Sequence, residues 1–153
     1  METIKVLLKN EILLASVLSW MFAQILKVIF AFAVSKKFSF ERLTGAGGMP
    51  SGHSATVCCL TISMARVEGL HSPGFAIAVL FAMIVMYDAM GVRQAAGQHA
   101  KVINRLVENV EKESQIEVSG DLKEVLGHTP LEVTAGALLG ILVAIIYPMV
   151  VHL

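Results

Sequence analysis

Charge is scarce in this sequence. Asp, Glu, Lys and Arg make up 16% of its 153 residues, against roughly 25% in ordinary soluble domains. Twelve residues of each sign cancel to a net charge of zero. Such a balance supplies neither a basic face for nucleic acid nor an acidic face for a cationic partner. Cysteine is nearly missing too. Cys58 and Cys59 are adjacent in an apolar run, where neighbours cannot close an ordinary disulfide, and no metal-ligand spacing accompanies them. They read as small packing residues, and no metal or cofactor is expected. Repeats and low-complexity tracts do not occur, and the first apolar segment has no small-residue cleavage site, so it reads as a retained helix rather than a signal peptide. What fills the chain is hydrocarbon: 56% of residues are hydrophobic and the mean hydropathy is +0.72. A single membrane-embedded domain, residues 1–153, is the expectation.

Four segments are apolar enough to span: about Ile12–Val34, Ser54–Gly69, Pro73–Val92 and Leu131–Val151. The second is short for a hydrocarbon core of roughly 30 Å. Pro73 suits a first helical turn, and Pro148 should end or kink the last helix. Residues 93–130 are more polar. Ala100, Ile103, Leu106, Val107 and Val110 recur at helical spacing among charged residues, which predicts an amphipathic helix on the membrane surface or capping the bundle. Asp121 and Glu124 suggest a capping box for a short helix ending at Gly127. The fold class expected is therefore all-α: a polytopic membrane helix bundle of about four transmembrane helices, with an amphipathic helix in the third connection. Four spans place the first and third connections on one face. That face carries Lys36, Lys37, Arg42, Arg93, Lys101, Arg105, Lys112 and Lys123, against Lys5, Lys9 and Arg66 on the other. The excess assigns it to the cytoplasm.

Polar groups in or beside membrane spans are costly, so each one calls for a reason. Gly47-Gly48-Met49-Pro50-Ser51-Gly52-His53-Ser54 strips the backbone of side chains, then brings a hydroxyl and an imidazole to a helix start, an arrangement suited to an anion. Gln24 and Lys27 lie late in the first span, Asp88 and Arg93 close the third, and His128 and Glu132 open the fourth. With Arg42, Ser51 and His53, all of these fall on the same predicted face. A carboxylate four residues after His128 can reach one ring nitrogen and leave the other as nucleophile or base. Taken singly, each has a plainer reading: a loop histidine, a dipole-favoured carboxylate, a structural Asp88–Arg93 ion pair, a Lys27 that snorkels to the interface. Met83, Met86 and Met90 read as core filler, Trp20 and Tyr87 as packing or interface anchors, and His71, His99 and His152 as ordinary polar-region residues.

Pro50-Ser51-Gly52-His53, followed by Gly127-His128-Thr129-Pro130-Leu131-Glu132-Val133-Thr134-Ala135-Gly136, resembles the type 2 phosphatidic acid phosphatase superfamily, which includes the vanadium haloperoxidases. The Gly-Gly-Met-Pro-Ser and Tyr-Asp-Ala-Met-Gly-Val-Arg stretches are similar to its divergent branch of small membrane proteins, over nearly the whole chain. Glu132 stands where the classical pattern has Asp. For the classical Lys-x6-Arg-Pro motif, Lys27 and Arg42 are candidates without the family spacing and no Arg-Pro pair exists; if Arg93 replaces the arginine before His128, residues 94–127 are an insertion.

The resemblance implies metal-independent phosphomonoester hydrolysis through a phosphohistidine. His128, oriented by Glu132, would attack phosphorus; His53 would protonate the leaving alkoxide and then activate water. Lys27, Arg42, Ser51, Gly52 and Arg93 would bind phosphate, with Asp88 supporting. A cytoplasmic site at headgroup level suggests a membrane phospholipid phosphate, with phosphatidylglycerophosphate first and phosphatidic acid next. A prenyl (di)phosphate phosphatase and a non-catalytic membrane protein that binds phosphate or lipid headgroups are the alternatives. The partners expected are the bilayer and this lipid, with no nucleic acid; a homo-oligomer is compatible with the sequence.

Overall fold

The computed structural model describes residues 2–36, 48–114, 122 and 127–149, and no strand occurs among them. A short helix α1 (Glu2–Leu7) precedes α2 (Glu11–Ser35), which Asn10 caps by accepting from the Leu13 N–H at 3.0 Å. The cap settles an N–H group that the first helical turn leaves without a partner. At the far end Lys36 adopts a left-handed conformation and its N–H bonds the Phe32 carbonyl at 2.8 Å. Helix α3 (Gly52–Glu68) is capped by Ser51 and stops at Gly69, whose φ of 84° only glycine adopts without strain. Ser72 caps α4 (Pro73–Met90), with Pro73 in the first turn as expected. Helix α5 (Val92–Ser114) follows after the single residue Gly91. Thr129 and Pro130 begin α6 (Pro130–Ile146), which ends two residues before Pro148 with Tyr147 already extended, as a residue preceding proline prefers.

Helices α3 and α6 run parallel. The Ser51 N–H donates to the Glu132 carbonyl at 2.9 Å at one end. At the other end, Arg66 on α3 donates to the carbonyls of Ala144 and Tyr147, which close α6. Three helices meet along small residues four apart: Ala15, Ser19 and Ala23 on α2; Ala55, Cys59 and Ser63 on α3; Gly136, Gly140 and Ala144 on α6, all buried. A Cβ on Gly136 would lie 2.3 Å from the Ser51 carbonyl oxygen, and one on Gly140 would lie 2.2 Å from that of Ala55. The Gly-x3-Gly spacing thus brings two backbones into contact, as in close membrane helix pairs. The Ser19 hydroxyl adds a bond to the Ala55 carbonyl at 3.0 Å.

The large apolar residues face outward instead. Ile77, Leu80 and Ile84 of α4 and Leu138, Leu142 and Ile145 of α6 are exposed, the reverse of a soluble core and the pattern of helices bathed in lipid. Helix α2 and the α4–α5 stretch are long and apolar enough to cross a membrane, and α6 is a shorter apolar helix. This is a membrane helix bundle. The four apolar segments of the sequence form helices α2, α3, α4 and α6. Helix α3 is the least greasy because it packs against α2, α4 and α6 and meets little lipid.

Several expectations change. Met83 is not core filler: it is 60% exposed and faces outward, whereas Met86 lies within 3.8 Å of the Cys58 sulfur. The amphipathic helix starts at Val92 rather than deeper in the connection. Of its apolar residues Ala100 is buried, while Ile103, Leu106 and Val110 are exposed. Asn104 holds the Leu122 backbone through two bonds, at 2.8 and 2.9 Å. Asp121, Glu124, Arg42, Lys37, Lys123 and His152 lie outside the described residues.

Candidate active site

Two helix starts and one helix break meet at the same end of the bundle. The first break is sharp. Because α4 yields at Gly91, the Ala89 carbonyl accepts from the His128 N–H at 3.0 Å. Gly127 makes that approach feasible: a Cβ there would stand 2.5 Å from the Gln94 nitrogen and 2.9 Å from the Ala89 oxygen. His128 is thereby held 4% exposed at the threshold of α6.

Glu132 has two tasks in the same turn. Its Oε2 accepts from the Thr129 N–H at 2.9 Å, and the Glu132 N–H bonds the Thr129 hydroxyl at 3.3 Å, which together form a capping box. The same Oε2 lies 3.2 Å from His128 Nδ1. A carboxylate there favours the tautomer with the proton on Nδ1 and leaves Nε2 as the nucleophilic nitrogen.

His53 occupies the first turn of α3, exposed, and its ring centroid is 6.4 Å from that of His128 at an interplanar angle of 63°. The two imidazoles, from different helices, are thus close enough to act on one small group. Arg93, Lys27 and Asp88 all lie within electrostatic reach of His53, and Lys27 also within reach of Glu132.

Lys27 extends the small-residue ladder of α2 by one further step of four. It is buried (5% exposed), so it does not snorkel outward. Its stem runs beneath Gly48, where a Cβ would meet Lys27 Cγ at 3.2 Å, and Gly48 takes a φ of 89°. Arg93 uses Nε to bond Asp88 at 2.8 Å; the Nε bond leaves the terminal fork of the guanidinium to meet an anion. The Asp88–Arg93 ion pair is real and sits at the site.

Ser51 is wholly buried. Its hydroxyl oxygen accepts from the Ser54 N–H at 3.4 Å and from the Ser54 hydroxyl at 3.1 Å, so in this geometry it serves as the cap of α3. The N–H groups that helix geometry leaves over in that turn belong to Gly52 and His53. Gly52 lies against α2, since a Cβ there would meet Gln24 Nε2 at 3.0 Å and the Trp20 ring at 3.4 Å. The positive ends of two parallel helices, α3 and α6, thus converge here, which favours an anion.

The structure therefore brings together Lys27, Ser51, Gly52, His53, Asp88, Arg93, His128 and Glu132, from the four apolar helices with their caps and from the first turn of α5. Arg42 is not among the described residues. Sequence reasoning missed Thr129 and Gly127. The Thr129-x-x-Glu132 capping signature was there to be read, but the reach of Gly127 onto another helix leaves no local pattern. Trp20, read as packing, also flanks the site through Gly52. Among the described residues no cluster of His, Cys, Asp and Glu is arranged to hold a metal ion.

Fold and site define a class: a membrane helix bundle with two facing histidines at the shared start of parallel helices. The chain belongs to the divergent PAP2 family, whose model matches residues 8–143. It is 43% identical over 150 residues, covering 92% of this chain and 95% of the relative, to a protein of Bacillus subtilis (strain 168) described as the uncharacterized membrane protein YuiD. No solved structure matches.

Proposed function

We propose that this protein is a membrane lipid phosphate phosphatase. The observation that carries the reading is the facing pair of His53 and His128, 6.4 Å apart, with Glu132 behind His128. His128 Nε2 attacks the phosphorus of a phosphomonoester, the P–O ester bond breaks, and the departing alkoxide takes a proton from His53. Neutral His53 then removes a proton from water, whose oxygen attacks the phosphohistidine. Phosphate leaves, and His128 is restored. Charge on the phosphoryl oxygens is met by Lys27, Arg93 and the first-turn N–H groups of α3, the kind of stabilisation that dominates phosphoryl transfer. The substrate class is a phospholipid monoester, phosphatidylglycerophosphate first and phosphatidic acid second, handled on the cytoplasmic face.

The test is phosphate release from a panel of lipid phosphates by the purified protein with excess chelator. His53→Ala and His128→Ala should each abolish turnover. With a substrate whose leaving group needs no protonation, His53→Ala should accumulate an acid-labile phosphoenzyme, and His128→Ala should form none. A wild-type protein that releases phosphate from no lipid would sink the proposal. Orientation is checked separately, by labelling a cysteine at position 49, with Cys58 and Cys59 replaced, from each side of the membrane. Labelling from outside would move the site to the outer face and bring prenyl diphosphates forward.

A further inference from the structure

Helices α2 and α4 both pack on α3 but make no extensive contact with each other. Between them runs an open groove of about 330 Å³, with His53 at its head. Its walls are Val17 and Trp20 of α2, Thr56 and Val57 of α3, and Phe81 and Val85 of α4. The Thr56 hydroxyl donates to the Gly52 carbonyl at 2.8 Å, so its hydrogen is spent on its own helix. Below His53 the lining is otherwise hydrocarbon and aromatic. The groove is open sideways, since Val17, Trp20 and Phe81 are each about half exposed, and all three lie within the stretches of α2 and α4 apolar enough to cross a membrane.

We propose that this groove is the seat of one acyl chain of a phosphomonoester lipid, whose phosphate rests between His53 and His128. The proposal rests on the phosphate reading above for the headgroup, but concerns how the lipid is held. A soluble ligand would reach only the polar head of such a groove, while its length opens to the bilayer. Complementarity fixes the sense: cations Lys27 and Arg93 at the head attract the phosphate, and the wall leading away along one turn of α3, from His53 to Val57, suits methylenes. The bilayer already solvates the chain, so the groove contributes position rather than hydrophobic affinity. It lets the ester phosphorus stand beside His53 while the chain never leaves hydrocarbon.

Trp20 is the single tryptophan of the chain and lines the groove, so its fluorescence reports the occupant directly. The full-length protein is reconstituted in phosphatidylcholine vesicles, with a small fraction of either phosphatidic acid or phosphatidylcholine brominated mid-chain. Brominated phosphatidic acid should quench Trp20 saturably and several-fold more than the same fraction of brominated phosphatidylcholine. Val85→Phe and, from the opposite wall, Val17→Phe should each weaken the selective component on the order of tenfold, because a chain kept out of the groove draws the phosphate away from its charged hydrogen-bond partners. Equal quenching by the two lipids, or selective quenching untouched in both variants, overturns the groove assignment. Selective quenching without turnover would retain the groove and remove the catalytic reading, so the two failures are distinct.

Discussion

Replacing Glu132 by Gln separates its two tasks. A glutamine at the third position of a helix still completes a capping box, so the Thr129 N–H, now 2.9 Å from Oε2, keeps an acceptor. Stability should change by no more than ~1 kcal/mol, the usual worth of a cap. The bond to His128 Nδ1, 3.2 Å long, fares differently. Loss of the charge weakens a hydrogen bond of the charge-assisted kind, worth about 1.5–3 kcal/mol, or roughly tenfold to over a hundredfold in rate. If the amide instead turns its NH2 group into the place of Oε2, that group faces Nδ1 and drives the ring proton to Nε2, which removes the nucleophilic lone pair; the loss then approaches ~10⁴-fold, and the Thr129 N–H loses its acceptor as well. Glu132→Asp keeps the charge at a shorter reach and should lose far less. The assay is kcat/KM for phosphate release, with thermal unfolding in parallel. Near-wild-type turnover in both variants would remove Glu132 from the mechanism.

The other expectations concern packing and charge. Gly136→Ala puts a Cβ 2.3 Å from the Ser51 oxygen, which only a separation of about 1 Å relieves; it should cost ~1–3 kcal/mol in unfolding and ~10²-fold in turnover. Gly140→Ala, one turn farther from the histidines, should match it in thermal stability yet lose much less activity, and equal activity losses would refute the positional argument. Lys27→Met removes a buried cation near Glu132; a roughly tenfold or larger rise in the dissociation constant for a phosphate analogue, by calorimetry, is expected. Arg66→Ala strips three carbonyls at the end of α6, those of Ala144, Ile145 and Tyr147, of a shared donor. It should lower stability by about 1–3 kcal/mol, read as a fall in Tm.

The apolar runs made the long helices legible, and Ser54, Pro73 and Pro148 marked starts and stops close to where the structure has them. The polar residues gathered at one end were legible as well, because each is anomalous in a greasy chain and topology alone assigns the side. Burial was not. Hydrophobic residues outside and small residues inside invert the soluble rule, which is why Met83 was misread as core and the Ala15, Ser19, Ala23 series passed unnoticed. The capping role of Ser51 was hidden for a related reason. The Pro-Ser-Gly-His stretch that suggests an anion site also builds a helix start, and only the fold shows that the Ser51 oxygen is already engaged. Gly127 and Gly136 could not be ranked by sequence, since what forbids a side chain there belongs to another helix.

The inverted core also explains why the site sits where it does. Each of the three central ladders ends, one step of four beyond its last small residue, in a polar group: Ala23 is followed by Lys27, Ala55 is preceded by Ser51, and Gly136 is preceded by Glu132. Small residues let the backbones approach until carbonyls of one helix touch glycines of the next, and such contact tolerates little sliding. The register that seats Gly136 on Ser51 therefore sets how far His53 stands from His128. Larger side chains at these steps would leave a looser interface with several near-equal registers. In a protein whose exterior is dissolved in lipid and gains nothing from burying leucine, backbone contact is the available way to fix two imidazoles on different helices beside each other. The glycines of α6 are thus positioning elements of the proposed site, acting through the backbone of α3.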